Sequence, residues 1–218
     1  SLGYIALNAQ DLPAWKEFGC NVLGLMLEES VSSDERLVFR MDDHPSRLLI
    51  QQSDQDSLAV VGWEFADQAA YKNVLATLKE FGASVAIGDE HSAKLRNVTE
   101  YAVSADPAGN PFEVYHTRTG LQDNFKSKLD IEQFVTGDMG MGHVVLPAPN
   151  MDETHNFYRS VLGFGDSDDL TLPPPAPGAP EMNIRFMHAA NARHHSLALF
   201  NFPVPTGIVH LILEVKSV

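Results

Sequence analysis

Cysteine is almost absent from this sequence, since Cys20 is the single example among 218 residues. A lone thiol has no partner within the chain, which excludes a disulfide-stapled scaffold and favours a reducing setting. Long apolar runs are missing too, because none approaches the roughly 20 residues that a membrane-spanning helix needs. No basic segment followed by an apolar one stands at the start of the sequence. We therefore expect a cytoplasmic protein with no export signal and no membrane partner.

Basic residues are also scarce, with 15 Lys and Arg against 29 Asp and Glu, and the formal net charge is -14. An acidic surface repels a phosphate backbone, so we do not expect nucleic acid as a partner. Histidine is well represented by comparison, with nine examples beside the one cysteine. A metal site in this chain would therefore use nitrogen and oxygen ligands rather than thiolates.

An internal repeat organises the chain. Residues 3–25 align without a gap on residues 142–164, at an offset of 139. Each copy predicts a short strand, then a helix that begins after an N-cap residue and ends at a glycine. The N-caps are Asp11 and Asn150, and the glycines are Gly24 and Gly163. We expect the apolar positions on one face of each helix to pack in the core. They are Trp15, Phe18 and Val22 in the first copy and Met151, Tyr158 and Val161 in the second.

A strand hairpin follows in both copies. The predicted strands are 36–40 and 47–51 in the first copy, and 183–187 and 195–199 in the second. Matching Phe39 with Phe186 and Leu48 with His195 gives one offset of 147. We assign the additional residues of the second copy to a stiff, proline-rich loop at 172–180.

The first copy then adds a helix over 67–81 and strands at 101–105 and 112–116. No second version of this part falls within the sequence. The pattern predicts an α+β fold of two tandem βαβββ modules with curled mixed sheets, of which the second is incomplete. The predicted division is a first domain at 1–118, a linker at 119–141 and a second, truncated domain at 142–218.

The two copies differ chemically at two matched positions. Tyr4 is matched by His143 at an offset of 139, and Val60 is matched by His210 at an offset of 150. A lone histidine is usually a surface or packing residue. These two change together and lie on strands that should be neighbours, within reach of one ion. We therefore expect His143 and His210 to be metal ligands.

Two imidazoles and one carboxylate leave half of the coordination sphere of a divalent iron open. Glu214 is poorly placed for this role, because four strand residues put it about 13 Å from His210. Glu113 lies in the last strand of the first copy, and its counterpart, projected by an offset of about 150, falls beyond Val218. We therefore expect the third ligand to be a glutamate beyond Val218.

His194 and His195 follow the turn of the second hairpin. Strand alternation sends only one of them into the curled sheet, and the match to apolar Leu48 favours His195. An inward imidazole with a pKa of about 6.5 suits proton transfer at neutral pH. His195 is therefore the candidate catalytic residue.

Several stretches together resemble a known family. They are Ser1-Leu2-Gly3-Tyr4 with Trp15 and Leu23-Gly24-Leu25, Phe134-Val135-Thr136-Gly137-Asp138 leading to Gly142-His143, Asn191-Ala192-Arg193-His194-His195, and His210-Leu211-Ile212-Leu213-Glu214-Val215. The family is that of the type I extradiol ring-cleavage dioxygenases of the vicinal oxygen chelate superfamily, in particular the 2,3-dihydroxybiphenyl 1,2-dioxygenases.

The resemblance implies that the second module is catalytic and holds Fe(II) through His143, His210 and a glutamate. It implies an activity that cleaves the ring of a catechol with O2, in the degradation of aromatic hydrocarbons, and a homo-oligomeric protein. It also implies an apolar pocket wall, which an aromatic diol requires. The implied wall residues are Val145, Phe186, Ala198 and Phe202.

Two other classes use the same fold. A glyoxalase-like metal isomerase would need more carboxylate ligands than these strands carry. A metal-free small-molecule-binding module would make no use of the paired histidines.

Overall fold

The structure is a computed structural model that describes residues 1–120, 124–174 and 176–216. The first half of the chain contains β1 (Leu2–Ala9), α1 (Leu12–Asn21), β2 (Met26–Leu27), β3 (Arg36–Arg40), β4 (Leu48–Gln52), β5 (Ser57–Phe65), α2 (Gln68–Phe81), β6 (Ala86–Ile87), α3 (Glu90–Arg96), β7 (Val98–Ala105) and β8 (Pro111–Arg118). The second half contains a 3-10 turn (Gly137–Met139), β9 (His143–Pro147), α4 (Met151–Ser160), β10 (Gly165–Leu172), β11 (Met182–His188), β12 (Leu197–Phe200) and β13 (His210–Ile212).

These strands form two mixed sheets. One has eight strands in the order β2-β3-β4-β1-β5-β8-β7-β6, and the other has five in the order β10-β11-β12-β9-β13. In the first sheet β1 runs parallel to β4 and antiparallel to β5, and β9 repeats this arrangement with β12 and β13. The predicted α+β class is confirmed. The domain limits at 1–118 and 142–218 stay a prediction.

The strand register confirms two of the three repeat offsets. Ala6 of β1 pairs with Val60 of β5, and Val145 of β9 pairs with His210 of β13. These pairs correspond at offsets of 139 and 150, as the sequence comparison predicts. His143 and His210 therefore do occupy the positions of Tyr4 and Val60.

The predicted hairpin offset of 147 is wrong. Leu48 pairs with Ile5 in the first sheet, and in the second Leu197 pairs with Val144, so Leu197 rather than His195 corresponds to Leu48. Phe39 pairs with Leu48 in the first hairpin, and Met187 pairs with Leu197 in the second. The second pair is separated by one more residue than the first. As a result β12 begins at Leu197, and His194 and His195 lie in the loop before it.

The expectation that Phe18 and Val22 pack in the core is also wrong, since they are 42% and 61% exposed. Helix α1 instead packs through Gly19 and Cys20, and a Cβ added at Gly19 would come within 2.7 Å of the Phe39 ring. The counterpart of Phe18 in α4 is Phe157, which is fully buried. Helix α1 thus lies on the outside of the molecule, whereas α4 lies between the two sheets.

Aromatic side chains join the two halves of the molecule in one core. The Phe157 ring of α4 packs against Phe81 of α2 and Phe112 of β8, with centroid distances of 5.1 and 5.8 Å. Trp63 of β5 meets the edges of Tyr158 and Phe164 at 6.4 and 5.0 Å. Buried contacts of this size and geometry stabilise the association of the two sheets.

The turn before β8 connects the same two halves through polar contacts. Asp106 is buried and accepts hydrogen bonds from the Asn110 side chain at 2.8 Å and from the Tyr158 hydroxyl at 3.1 Å. The Asn110 amide also donates to the Pro147 carbonyl of β9 at 2.8 Å. Burial raises the pKa of Asp106 although these groups donate to it. The turn is therefore a buried bridge between β8, α4 and β9.

Several local predictions are confirmed and others are not. The 67–81 helix forms as α2, with Asp67 as its N-cap and Gly82 in the left-handed conformation after it. Helix α3 and strand β10 were not predicted. The proline-rich loop begins after Leu172, and its residue Pro175 lies outside the described residues.

The predicted linker contains well-packed positions close to the second module. Phe134 and Met141 are buried, and Phe134 forms a β-bridge with Val215. Residues 121–123 of the same segment lie outside the described residues. Within the described ranges, none of the helices has the length and apolar character needed to cross a membrane.

We predict that Asp106→Asn lowers the free energy of unfolding by about 1–3 kcal/mol, because the new amide NH2 would face buried donors. Urea unfolding of the variant and the parent measures the difference. Asp54→Asn, at an exposed position, is the matched control and should change stability by less than about 0.5 kcal/mol. Equal losses in the two variants would contradict the bridging role of Asp106.

Candidate metal centre

One row of residues crosses four strands of the second sheet. Phe186 pairs with Ala198, Ala198 with Val145, and Val145 with His210. Because side chains of paired residues share a face, all four belong to the same face of the sheet. The intervening residues of these strands, such as Val144 and Leu197, belong to the hydrophobic core on the other face. These four predicted site residues therefore lie opposite the core.

His143 and His210 converge on this face. His143 stands two residues before Val145, and its Nε2 atom is 3.3 Å from Nε2 of His210. Burial, together with His195, His210 and Arg193, lowers the pKa of His143 to about 3. Burial also lowers the pKa of His210. Both imidazoles are therefore neutral at pH 7, the form in which a ring nitrogen binds a metal.

A glycine permits this close approach. Gly142 precedes His143 with φ of 138°, and a Cβ at this position would lie 2.0 Å from the Ile212 carbonyl oxygen of β13. Any larger residue would push the two backbones apart. Gly142 therefore keeps β13, which carries His210, beside the first residue of β9.

His195 joins the pair from the loop before β12. Its ring lies 4.0 Å from the His143 ring and 4.8 Å from the Phe186 ring, measured between centroids. Its Nδ1 atom is 3.0 Å from Nδ1 of His194. Burial and the nearby His194, Arg193 and His210 lower the pKa of His195. The structure thus brings His195 to the site, although the match to Leu48 that suggested it was wrong.

The four predicted wall residues are not equally close to the histidines. Phe186 touches the His195 ring, while Val145 and Ala198 are fully buried members of the same row. Phe202 lies past the end of β12 and stacks on Phe200 at a centroid distance of 5.5 Å, rather than on a histidine. The wall is therefore assembled around Phe186, Val145 and Ala198.

Glu214 contacts an arginine that was not predicted to have a role. Arg193 donates from Nη1 to Oε2 of Glu214 at 2.6 Å, and it is itself largely buried. This contact gives Glu214 a structural role, in agreement with its poor placement as a metal ligand. Arg193 stands within the Asn191–His195 motif, but its contacts depend on tertiary structure that spacing does not reveal.

The matching face of the first sheet has an acidic residue and a cation in place of histidines. Glu113 is 2% exposed and accepts from the hydroxyl of Tyr4. Arg96 of α3 donates to its two oxygens at 2.7 and 2.6 Å. Burial and the adjacent Glu113 raise the pKa of Tyr4 well above its usual value. A cavity of about 770 Å³, lined partly by Tyr4, Val60, Arg96 and Glu113, remains over this face.

Comparison with known proteins identifies first the fold and then the family. Residues 2–52 match the family model "Dihydroxybiphenyl dioxygenase BphC D1", and residues 140–218 match "Glyoxalase/Bleomycin resistance protein/Dioxygenase superfamily". Among solved structures, "BphC, a halotolerant catechol dioxygenase" has a TM-score of 0.89 and 28% identity over 100% of this chain and 70% of its own. A Mn(II)-bound glyoxalase from Novosphingobium aromaticivorans shares the fold, with a TM-score of 0.72 and 21% identity over 96% of this chain and 64% of its own. The fold is that of the vicinal oxygen chelate superfamily.

Two relatives show which family within this superfamily the chain belongs to. An "Iron-dependent extradiol dioxygenase" of Rhodococcus jostii (strain RHA1) is 40% identical over 100% of this chain and 73% of the relative. A "Biphenyl-2,3-diol 1,2-dioxygenase" of Metapseudomonas furukawaii is 37% identical over 100% of this chain and 70% of the relative. The chain belongs to the type I extradiol dioxygenases.

We predict that Arg96→Ala lowers the free energy of unfolding by about 3 kcal/mol, because it leaves the Glu113 carboxylate buried without a cation. Lys94→Ala is the matched control, since Lys94 lies on the same helix and forms an exposed ion pair with Glu90 at 2.9 Å. The control should lose at most about 0.5 kcal/mol. Chemical unfolding of both variants tests the prediction, and a small loss in Arg96→Ala would contradict it.

Proposed function

We propose that the protein is an Fe(II)-dependent extradiol dioxygenase that cleaves a catechol of the 2,3-dihydroxybiphenyl type with O2. The observation that carries the proposal is the convergence of His143 and His210, whose Nε2 atoms are 3.3 Å apart. Two relatives, an iron-dependent extradiol dioxygenase and a biphenyl-2,3-diol 1,2-dioxygenase, support it.

The histidine pair fits a metal ion by a simple geometric test. Two imidazole nitrogens about 2.1 Å from one ion, at an angle of about 100°, would be separated by about 3.2 Å. The observed separation of 3.3 Å between His143 and His210 matches this value. A set of two imidazoles and one carboxylate is typical of non-heme Fe(II) sites with open positions.

We propose that the third ligand is a carboxylate beside the outer strand β13, where Glu113 lies in the first module. Glu113 pairs with Gly62, which pairs in turn with Tyr4. The corresponding pair in the second sheet is Ile212 with His143. A carboxylate opposite Ile212 would therefore reach His143 as Glu113 reaches Tyr4.

His143 and His210 would hold Fe(II) in this arrangement, and the pocket face would orient the substrate. Fe(II), when bound, supplies open coordination positions for both catechol oxygens and O2, and a path for electron density between them. Phe186, Val145 and Ala198 present an apolar surface against which a planar aromatic ring can pack. Holding the two reactants in one orientation removes much of the entropic barrier.

His195 would accept a proton from a catechol hydroxyl. Its ring centroid lies 4.0 Å from that of His143, so a substrate bound beside His143 would be within its reach. Because Nδ1 of His195 faces Nδ1 of His194, the Nε2 atom is the one left for the substrate proton. Proton transfer by a positioned imidazole typically contributes about 100-fold or more to the rate.

We predict that His143→Ala and His210→Ala each abolish stoichiometric Fe(II) binding, because each removes one of two converging nitrogens. Anaerobic loading of the full natural chain with Fe(II), followed by metal analysis, measures this. His91→Ala, an exposed position on α3, is the control and should retain the parental iron content. Full iron content in the two site variants would refute the site, whereas a folded parent that takes up no iron would favour a metal-free binding module.

We predict that His195→Phe keeps the parental iron content but slows ring cleavage by about 100-fold or more. The assay follows the yellow ring-cleavage product of 2,3-dihydroxybiphenyl under air in fully loaded protein. His155→Phe is the matched control, since His155 of α4 pairs with Asp166 of β10 at 2.6 Å, away from the site. Parental turnover in His195→Phe would refute its role, and no turnover by the loaded parent with any catechol would refute the proposed activity.

A further inference from the structure

A single buried arginine links the segments that carry the site histidines. Arg193 is 8% exposed, and its guanidinium donates in three directions. Nε donates to the Met139 carbonyl at 3.0 Å, and Nη2 donates to the Val135 carbonyl at 3.0 Å. Nη1 donates to Oε2 of Glu214 at 2.6 Å. Val135 and Met139 lie in the segment before β9, and Glu214 lies in the segment after β13. Both segments are separate in the chain from the loop that carries Arg193.

Each of these segments carries one of the histidines. Met139 lies four residues before His143, Glu214 lies four residues after His210, and Arg193 itself lies two residues before His195. We propose that Arg193 is a positioning residue, which fixes the His143, His195 and His210 segments relative to one another and so pre-arranges the metal site. It touches no reacting group itself.

The chemistry of the contacts calls for an arginine. Two acceptors are main-chain carbonyls and one is a carboxylate, and a planar guanidinium can meet all three in fixed directions. The compact ammonium of lysine has no such fork and would satisfy fewer of them at one time. Unpaired carbonyls at Val135 and Met139 would then favour displacement of the segment that leads into β9.

The internal repeat shows that this arrangement accompanies the histidines. Counted back from Leu48 and Leu197, the first-module counterpart of Arg193 is His44, not an arginine. Glu64, the counterpart of Glu214, pairs instead with Arg118 at the end of β8, at 2.9 and 2.6 Å. The arginine that donates to this glutamate thus comes from the hairpin loop in the module with the site histidines, and from the end of β8 in the other module.

This inference rests on the proposed metal site, so the test compares metal affinity between folded proteins. Co(II) is titrated against a competing chelator into the full natural chain, at a temperature where circular dichroism shows every protein folded. The Co(II) absorption bands are recorded as well, because they report ligand geometry and not stability. We expect Arg193→Lys to weaken Co(II) binding by about 10- to 100-fold, the usual effect of losing a residue that orients metal ligands.

Two further variants complete the design. Arg159→Lys is the matched control, because Arg159 of α4 forms an exposed pair with Asp166 of β10 at 3.3 Å, and this variant should bind Co(II) as the parent does. Glu214→Gln weakens one contact of Arg193 at a carboxylate that is about half exposed. The Glu214→Gln variant should therefore fold. It should weaken Co(II) binding by a smaller factor than Arg193→Lys does, and its Co(II) absorption bands should differ from those of the parent.

The outcomes separate the two claims. A parent that is folded but binds no Co(II) refutes the metal site, and the positioning role with it, before any variant is compared. Parental affinity and parental bands in a folded Arg193→Lys refute the positioning role alone. If Arg193→Lys does not fold, Glu214→Gln decides: parental affinity and bands overturn the positioning role, and weaker binding with altered bands supports it.

Discussion

The pairing of β9 with its two neighbours is the constraint on which the candidate site depends. Antiparallel pairing with β13 sets Val145 against His210, and parallel pairing with β12 sets Val145 against Ala198. Since alternate residues of a strand face opposite sides, one register places Val144 in the core and His143 on the other face. A slip of one residue in either pairing would bury a histidine in the core and expose a valine.

The two modules carry different groups on the matching face of their sheets. A carboxylate on a buried sheet face needs a compensating cation, because an isolated buried charge is strongly unfavourable. In the first module Arg96 is that cation, and Tyr4 adds a hydroxyl donor to Glu113. In the second module His143 occupies the position of Tyr4. Its neutral imidazole is suited to binding a metal cation rather than a carboxylate. The face that holds an ion pair and the face that holds the converging histidines thus differ by a few side chains.

The sequence predicted those parts of the structure that follow from local pattern and internal repetition. The offsets of 139 and 150 placed His143 and His210 correctly because strands β1, β5, β9 and β13 keep their register in both copies. The hairpin offset failed because a single extra residue between Met187 and Leu197 is invisible to a comparison of strands alone. The contacts of Arg193 and Arg96 were missed for another reason. A side chain that acts through distant carbonyls or carboxylates leaves no periodic signal in the sequence.

The first module, which has no paired histidines, still determines where His143 lies. Beyond one end of β9 the Met141 amide donates to the Leu2 carbonyl at 2.9 Å, and at the other end the Pro147 carbonyl accepts from the Asn110 amide at 2.8 Å. Gly140 allows the first of these contacts, because a Cβ there would lie 2.5 Å from the Leu2 oxygen and its φ is 72°. A strand held near both ends by another sheet has little freedom to shift along its axis. The first module therefore acts as the frame that fixes the position of the β9 histidine.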